Sequence, residues 1–448
     1  MKAERYSALI ESRDIYIMLI SFIILLIILI IGVPVPLAFF ISTIYLIFAL
    51  GYDPIFLIPY GFGKISNIVL LAVPLFIIAG GLMDKGGIGE KIIDLTELFV
   101  RKIKGGLGVV AVVASAIFGS ISGSSAAVLT AIGSIMLPRL AKNGYPRGFA
   151  SALIANASVL GLFIPPSALM ILYAWVSNQS VLASFLATIV PGLILMVLLS
   201  IINVVYIRKK GIEEKEVAEK ELPPFKIELR KRSLAATPGL VLPLIVLGGI
   251  YGGIMTPTEA AAIAVLYAIP VGFWIYKGLN RKIFFQTLIE AATTTGVVMI
   301  MLFGIMLLSR IYVTEGLSNT LTNILLGITE NKVLILLMIN VILLIIGMIM
   351  DDVSAISLAT PIMLPVVVNL GVDPIHFAAI IGVNLGMGLL TPPTAPLLYL
   401  GSRVGKTPVN EMIGPTLLMI LFAWLPTLII TTFVPEVSMF LPRLVLGL

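Results

Sequence analysis

The sequence predicts an all-α polytopic membrane protein built as an inverted-topology repeat, with about 10–12 transmembrane helices and two re-entrant hairpins. Composition, the length of the apolar runs and an internal repeat support this prediction. Hydrophobic residues make up 59% of the 448 residues and charged residues only 12%, about half the charged share of a soluble domain. Many apolar runs reach the roughly 20 residues that a helix needs to cross a bilayer, and no alternating pattern indicates a barrel.

The composition also argues against several kinds of site. The chain has no cysteine and a single histidine, His376, which excludes disulfides and argues against a thiolate or histidine metal centre. We predict that His376 lies at the surface near an outer loop. The net charge is +6, but lysine and arginine concentrate between the apolar runs. This distribution is typical of membrane topology, so we expect no nucleic-acid partner and no cofactor beyond coupling ions.

The chain repeats itself at an offset of 227 or 228 positions. The tetrapeptide Ile-Met-Leu-Pro at 135–138 recurs at 362–365, and Pro165-Pro166 recurs as Pro392-Pro393. Because the order is kept with only single-residue gaps, the two halves are predicted to share one fold. Further matching pairs are Gly119 with Gly347, Gly144 with Gly371, and Asn156 with Asn384.

The charges of the loops predict that the two halves have opposite orientations. Segment 208–232 carries nine Lys/Arg and six Glu and is predicted to be a cytoplasmic linker. Segment 84–104 has five Lys/Arg and its counterpart 312–332 has one; segment 138–147 has three and its counterpart 365–376 has none. The positive-inside rule therefore places the first-half loops in the cytoplasm and their counterparts outside, which is the arrangement of secondary transporters.

The stretch between the two cytoplasmic loops of the first half is too short to cross the membrane twice. We predict that 105–137 is a re-entrant hairpin with a polar tip at 119–125, and that both chain termini lie outside. The predicted first repeat is 1–207, with a broken helix at about 148–176. The second is 233–448, with a hairpin at about 332–368 and a broken helix at about 374–402.

Polar backbone at membrane depth is tolerated only where protein or water surrounds it. The breaks at Pro165-Pro166 and Thr391–Thr394 free carbonyl groups that suit sodium, and the half-helix N-termini suit a carboxylate. We therefore predict one sodium site in each half. The candidate sodium ligands are Ser120, Ser122, Gly123, Ser124, Ser125, Asn156 and Pro165, then Asp351, Asp352, Ser354, Asn384, Thr391, Pro392 and Thr394. The candidate substrate contacts are Ser125, Ser167, Arg310 and Thr394.

Several of these residues also have structural explanations. Small residues such as Ser and Gly allow close helix packing. One of Asp351 and Asp352 can cap a half-helix while the other balances a cation or carries a proton. Arg310 follows a long apolar run, so its side chain can reach the interface by snorkelling.

Enzyme functions are poorly supported. The segment 401–407 resembles a phosphate loop, but its glycine spacing is one residue short and no strand precedes it. An intramembrane serine hydrolase needs a histidine beside Ser122, and His376 lies in the other half on the opposite predicted side. An aspartyl protease needs two aspartates on separate helices, whereas Asp351 and Asp352 are adjacent. We predict no enzymatic activity; a channel would instead conduct without saturation.

The chain resembles the large membrane subunit of the tripartite ATP-independent periplasmic (TRAP) transporters, in the dicarboxylate-type class, over nearly its whole length. The motifs that carry this resemblance are Ala72–Phe76 with Gly80–Met83, Gly119–Ala126, Gly253–Ala260, Gly347–Ser354 and Asn384–Pro396. Many family members have an aspartate just after the first serine cluster, where this chain has Ala126-Ala127-Val128.

The resemblance implies an elevator-type protein in the inner membrane of a bacterium or archaeon, with scaffold and transport domains. It implies symport of sodium with an organic acid, such as a C4-dicarboxylate or sialic acid. It also implies two partners: a small four-helix membrane subunit and a periplasmic substrate-binding protein. The alternative is a stand-alone sodium- or proton-coupled carboxylate carrier of the same architecture, and a more remote one is the intramembrane serine hydrolase.

Overall fold

The computed structural model describes residues 2–100, 103–212 and 225–447, and every regular element in these ranges is helical. The middle of the predicted linker, 213–224 with its Pro223-Pro224 pair, lies outside the described residues. The first half contains α1 (Lys2–Ile30), α2 (Val35–Leu50), α3 (Pro54–Ile65), α4 (Ala72–Gly86), α5 (Ile88–Val100), α6 (Gly106–Ser122), α7 (Ser125–Lys142), α8 (Arg147–Ser158), α9 (Leu160–Phe163), α10 (Ala168–Ser177) and α11 (Val181–Lys210).

The second half contains α12 (Phe225–Tyr251), α13 (Pro257–Pro270), α14 (Arg281–Thr314), α15 (Leu317–Ile328), α16 (Lys332–Ile349), α17 (Asp352–Asn369), α18 (Pro374–Gly388), α19 (Pro396–Gly405), α20 (Val409–Met419), α21 (Leu425–Phe433) and α22 (Pro435–Leu446). A 3-10 turn, Ile68–Leu71, leads into α4. Two π-helical turns follow α13 and α20, at Val271–Ile275 and Ile420–Trp424.

The described helices account for the predicted spans. Nine are long and apolar enough to cross a membrane, or ten when the bent pair Arg147–Phe163 and Ala168–Ser177 is one span. Two of the nine, α16 and α17, are the arms of the second hairpin. Counted from the ten spans that include the bent pair, exchanging these two arms for the shorter α2 and the broken pair α18–α19 gives ten crossings and two hairpins. The all-helical polytopic prediction is confirmed.

Helix packing follows the same scheme in both halves. The contact between α13 and α4 corresponds to the contact between α2 and α14. In the same way, the contact between α6 and α8 corresponds to the contact between α16 and α18. The halves also interlock, because α10 packs on α17 and α19 packs on α7. Each hairpin therefore rests on the broken helix of the opposite half, and the two hairpins and two broken helices form one packed body.

The first hairpin is longer than predicted. Its second arm, α7, runs to Lys142 rather than ending at 137, because Pro138 is accommodated inside the helix. Proline inside membrane helices is tolerated where neighbouring groups satisfy the freed backbone. The prediction of a surface His376 is wrong: its side chain is buried, and its Nε2 lies 2.7 Å from the carbonyl oxygen of Thr431. The reason is that α18 packs along α21 from its first turn.

Three charged segments of the chain meet at one face. Arg139, at the base of the first hairpin, pairs with Asp94 at 3.2 Å and with Glu97 at 3.5 Å. Arg232, at the end of the predicted linker, donates to the carbonyl oxygen of Asp94 at 2.8 Å. The basic loops of the first half and the described end of the linker therefore lie on the same face of the molecule.

Candidate ion and substrate site at the hairpin tips

The tip of the first hairpin lies directly against the Pro165-Pro166 break. Helix α6 ends at Gly123, whose φ of +62° is accessible to glycine at little cost. The carbonyl oxygen of Gly123 accepts a hydrogen bond from the backbone N–H of Ala168 at 3.3 Å. A Cβ at Gly123 would lie 2.8 Å from the carbonyl oxygen of Pro166, so no side chain fits here.

Two buried hydroxyl groups flank this contact without a partner in the described parts of the chain: Ser122 Oγ and Ser167 Oγ. Ser167 occupies the position before α10 where serine usually caps a helix, yet its side chain forms no capping bond. An unpaired buried polar group costs about 1–3 kcal/mol. The junction therefore holds two oxygen ligands that a bound group would satisfy.

Two other serines of the first tip form hydrogen bonds within their own helices. Ser120 Oγ donates to the carbonyl oxygen of Ile117 at 2.6 Å, and Ser124 caps α7 by accepting from the N–H of Ala127 at 3.5 Å. Ser125 is buried at the start of α7. Ser122 and Ser167 are therefore the two candidate serines of this half whose hydroxyls are fully buried and have no partner in the described parts of the chain.

At the tip of the second hairpin, the two adjacent aspartates differ in their hydrogen bonds. Asp351 caps α17: its carboxylate accepts from the N–H of Ser354 at 3.3 Å and from the Ser354 hydroxyl. The Ser354 hydroxyl also lies 2.8 Å from the sulfur of Met301 on α14. Among the described residues, the carboxylate of Asp352 accepts a side-chain hydrogen bond from the N–H of its neighbour Val353, at 3.0 Å, and from no other group. The carboxylate of Asp352 therefore keeps most of its acceptor capacity.

The second break is tied to its hairpin in the same way as the first. The Thr394 hydroxyl donates to the carbonyl oxygen of Met348, near the end of α16. The Thr391 hydroxyl instead donates to the carbonyl oxygen of Met387 in the preceding helix, α18, at 2.7 Å. Close backbone crossings support both junctions. A Cβ at Gly119 would lie 2.5 Å from Gly161 Cα, and one at Gly388 would lie 2.5 Å from the carbonyl carbon of Gly347.

The helix ends at each junction have opposite polarity. Helices α6 and α16 present their carbonyl ends, and α7, α17, α10 and α19 present their N-termini. Carbonyl ends favour cations and N-termini favour anions. Each junction therefore combines groups that suit a cation with groups that suit a carboxylate.

The candidate amides form hydrogen bonds toward α20 and α21. Asn156 accepts from the indole N–H of Trp424 at 2.9 Å. Asn384 donates to Asn340 at 2.9 Å, and Asn340 donates to the hydroxyl of Thr432 at 3.0 Å. Asn340 and Trp424 were not among the residues predicted from the sequence. A lone amide within the apolar α16 was a signal that could have revealed Asn340.

Arg310 is held at a distance from both tips. Its guanidinium carbon lies 4.9 Å from the ring centroid of Tyr60 on α3. Met301, which contacts the second tip, precedes Arg310 by nine residues of α14, or about 13 Å along the helix axis. Within the described residues, the side-chain contact of Arg310 is with Tyr60 and not with either junction.

The family model of the tripartite ATP-independent periplasmic transporter, DctM component, matches residues 22–437. The chain belongs to this family. It is a large permease subunit of a TRAP transporter, and the resemblance noted in its motifs is confirmed. A permease family points away from enzymatic activity. Membership in a multi-subunit family also implies a small membrane subunit and a periplasmic binding protein.

Curated TRAP relatives with different substrates match most of this chain. The C4-dicarboxylate TRAP transporter large permease protein DctM of Pseudomonas aeruginosa is 35% identical, over 84% of this chain and 87% of that protein. The sialic acid TRAP transporter large permease protein SiaM of Vibrio cholerae is 34% identical, over 86% and 88%. The isethionate TRAP transporter permease protein DctMQ of Oleidesulfovibrio alaskensis is 36% identical over 92% of this chain, which spans 64% of that longer protein.

A solved structure resembles this TRAP permease in fold. The crystal structure of the YdaH transporter of Alcanivorax borkumensis superposes with a TM-score of 0.59, over 84% of this chain and 86% of that chain. The two sequences are 17% identical. The likeness therefore concerns the polytopic helical fold.

Proposed function

We propose that this permease subunit couples the inward movement of sodium to the import of an organic acid. The observation that carries the proposal is the pair of buried, unpaired hydroxyls of Ser122 and Ser167, where the carbonyl end of α6 meets the N-terminus of α10. Sodium prefers oxygen ligands, and the N-terminus of a half-helix favours a carboxylate. In this proposal the first junction therefore offers groups that suit both sodium and the substrate carboxylate.

Coupling follows from the opposite charges of the two ligands. A cation bound near the end of α6 lowers the cost of bringing an anion to the N-terminus of α10, and the anion favours the cation in return. The second junction repeats this arrangement, with the carboxylate of Asp352 available to balance a cation. Two linked sites of this kind would drive uptake of the anion with the sodium gradient.

We infer an elevator movement from the way the halves interlock. The two hairpins and two broken helices form one packed body, so they would move together. Helices α2, α4, α13 and α14 pair with one another and would form part of the scaffold. The relatives named for C4-dicarboxylates, sialic acid and isethionate support an organic acid as cargo. In this proposal a small four-helix subunit completes the scaffold in the inner membrane, and a periplasmic binding protein delivers the substrate.

The proposal is tested by uptake into proteoliposomes that contain the chain and its small subunit. Labelled succinate, N-acetylneuraminate and isethionate are supplied with and without an inward sodium gradient, and with and without the binding protein. Uptake that needs both supports the proposal. Uptake that needs sodium alone identifies a stand-alone carrier, and uptake that is indifferent to sodium removes the proposed ion sites.

Variants of the two unpaired serines connect this assay to the structure. Ser122→Ala and Ser167→Ala should raise the sodium concentration for half-maximal uptake about tenfold, because each removes one oxygen ligand. Ser200→Ala is the matched control, since the Ser200 hydroxyl donates within its own helix, at 2.8 Å to Met196. Equal sodium dependence in all three variants would contradict the assignment of the first junction.

A further inference from the structure

A cavity separate from the hairpin tips opens between α3 and the C-terminal end of α10. Its volume is about 370 Å³, which lies within the usual range of roughly 300–1,000 Å³ for small-molecule pockets. The aromatic rings of Tyr60 and Trp175 form part of its wall. The remaining polar groups in the lining are the ammonium of Lys64 and the amides of Asn67 and Asn178. No acidic residue lines the cavity.

Two cations contact the ring of Tyr60: Lys64, which lines the cavity, and Arg310, which does not line it. Lys64 Nζ lies 5.7 Å from the ring centroid and the guanidinium carbon of Arg310 lies 4.9 Å from it. Neither cation forms an ion pair within the part of the chain that the structure describes. Glu315, just beyond the end of α14, accepts a hydrogen bond from Tyr52 and forms no ion pair with Arg310. The ammonium of Lys64 therefore faces the cavity without an ion-pair partner in the described part of the chain, whereas Arg310 shares its end of α14 with Glu315.

The cavity lies on the face that the charge pattern assigns to the outside. Thr258, at the start of α13, donates to the carbonyl oxygen of Ile68 at 3.0 Å, just after α3. Tyr52, just before α3, bonds to Glu315 at the far end of α14. Helix α14 starts at the basic Arg281 and is 34 residues long, or about 50 Å. Both ends of α3 are therefore fixed at the face opposite the basic one.

Positive charge on this face needs a specific explanation. The positive-inside rule concentrates lysine and arginine on the other side of the membrane, so topology does not account for Lys64 and Arg310. The carbonyl end of α10 carries a partial negative charge near the cavity, of about half an elementary charge. The full positive charge of Lys64, which lines the cavity, outweighs it, and the field inside the cavity favours anions.

We propose that this cavity is an outer capture site for the small organic anion before it reaches the hairpin tips. Lys64 supplies the attraction, Asn67 and Asn178 supply amide donors, and the rings of Tyr60 and Trp175 cover the carbon skeleton. Arg310 adds positive charge through its contact with the ring of Tyr60. Helix α10 connects the two sites, since Trp175 follows Ser167 by eight residues, or about 12 Å of helix. The inference rests on the proposed transport of an organic acid and adds the step that precedes it.

The binding test uses the fluorescence of Trp175 in the complex of the chain with its small subunit. The complex is placed in phosphatidylcholine nanodiscs in sodium-free buffer and titrated with succinate, N-acetylneuraminate and isethionate. We expect a saturable change for the anion that the protein imports, absent in Trp175→Phe. Lys64→Gln and Arg310→Gln should shift it to about tenfold higher concentration, and Lys64→Arg should restore it. Lys282→Gln, at the opposite end of α14, is the control for lost charge.

The uptake assay separates this inference from the proposed function. Lys64→Gln and Arg310→Gln should raise the external anion concentration for half-maximal uptake about tenfold while the maximal rate changes by less than about twofold. Uptake that stays sodium-dependent with unchanged half-maximal concentrations would overturn the capture site and leave the proposed function standing. A fluorescence response to phosphatidylglycerol but to none of the three anions would identify a lipid site and also overturn it. Absence of any wild-type uptake would instead contradict the proposed function.

Discussion

The backbone N–H of Ala168 donates a hydrogen bond to the carbonyl oxygen of Gly123 at 3.3 Å. This bond joins the tip of the first hairpin to the broken helix of the first half. The donor belongs to the first turn of α10 and the acceptor ends α6. A displacement of one element therefore displaces the other. The carbonyl oxygen of Met348 and the hydroxyl of Thr394 form the equivalent connection in the second half.

Replacing Gly123 should disturb this junction more than it disturbs the fold. Gly123→Ala places a Cβ 2.8 Å from the carbonyl oxygen of Pro166, at a φ of +62°. The left-handed backbone alone costs about 1–2 kcal/mol for alanine. We expect a lower midpoint of thermal unfolding in detergent and loss of most sodium-driven uptake in proteoliposomes.

The control for this substitution is Gly296→Ala. Gly296 lies inside α14, and a Cβ there has no heavy atom within 4 Å. Alanine is favoured over glycine in a helix interior by about 1 kcal/mol. Gly296→Ala should therefore keep both stability and uptake. Full uptake by Gly123→Ala would show that the close contact with Pro166 is not needed for transport.

The two adjacent aspartates should respond differently to neutralisation. Asp351 caps α17, and asparagine caps helices about as well as aspartate, so Asp351→Asn should keep the fold while Asp351→Ala costs about 1 kcal/mol. Asp352 makes one bond to its neighbour's N–H, so Asp352→Asn should keep stability and lower the stimulation of uptake by sodium. Sodium titration of uptake and thermal unfolding of the three variants measure both effects. Unchanged sodium stimulation in Asp352→Asn assigns the ion-linked role elsewhere.

Much of the architecture was readable from local sequence signals. The Pro165-Pro166 and Pro392-Pro393 pairs remove backbone donors, and the structure has its helix breaks at these positions. The glycine and serine run at 119–125 predicts a turn, and α6 ends and α7 begins within it. Each of these signals acts over a few residues, so the sequence alone is enough to reveal it.

Side-chain partners depended on contacts between distant parts of the chain. Asn156 meets Trp424, which is 268 positions away, and His376 is buried by α21. Which serine hydroxyl stays unpaired also depends on the packing. Ser120 and Ser122 are two positions apart, yet the Ser120 hydroxyl donates to a helical carbonyl and the Ser122 hydroxyl has no partner in the described residues. No periodicity within one segment carries this information.

Sodium itself should stabilise the protein through the unpaired serines. A ligand that binds only the folded state adds RT ln(1 + [L]/Kd), or about 2.7 kcal/mol at a hundredfold excess over Kd. Replacing choline by sodium should therefore raise the thermal midpoint of the wild type. Ser122→Ala and Ser167→Ala should show a smaller rise, while their stability in choline stays equal or increases because an unpaired buried group is removed. An undiminished sodium effect in both variants would count against these ligands.

The amide chain that links α16, α18 and α21 should be structural. Asn340→Leu removes a hydrogen-bond partner of both Asn384 and Thr432, and the expected cost is about 1–2 kcal/mol because the buried Asn384 amide loses one of its two donor bonds and is left with the one to the carbonyl oxygen of Ile380. Asn340→Leu combined with Asn384→Leu should cost less than the sum of the two single changes, since no half-satisfied amide remains. A double-mutant cycle on thermal unfolding measures this coupling. Additive losses would mean that the two amides do not interact. Recovery of stability in the double variant, with unchanged sodium dependence of uptake, would show that this network is separate from the ion sites.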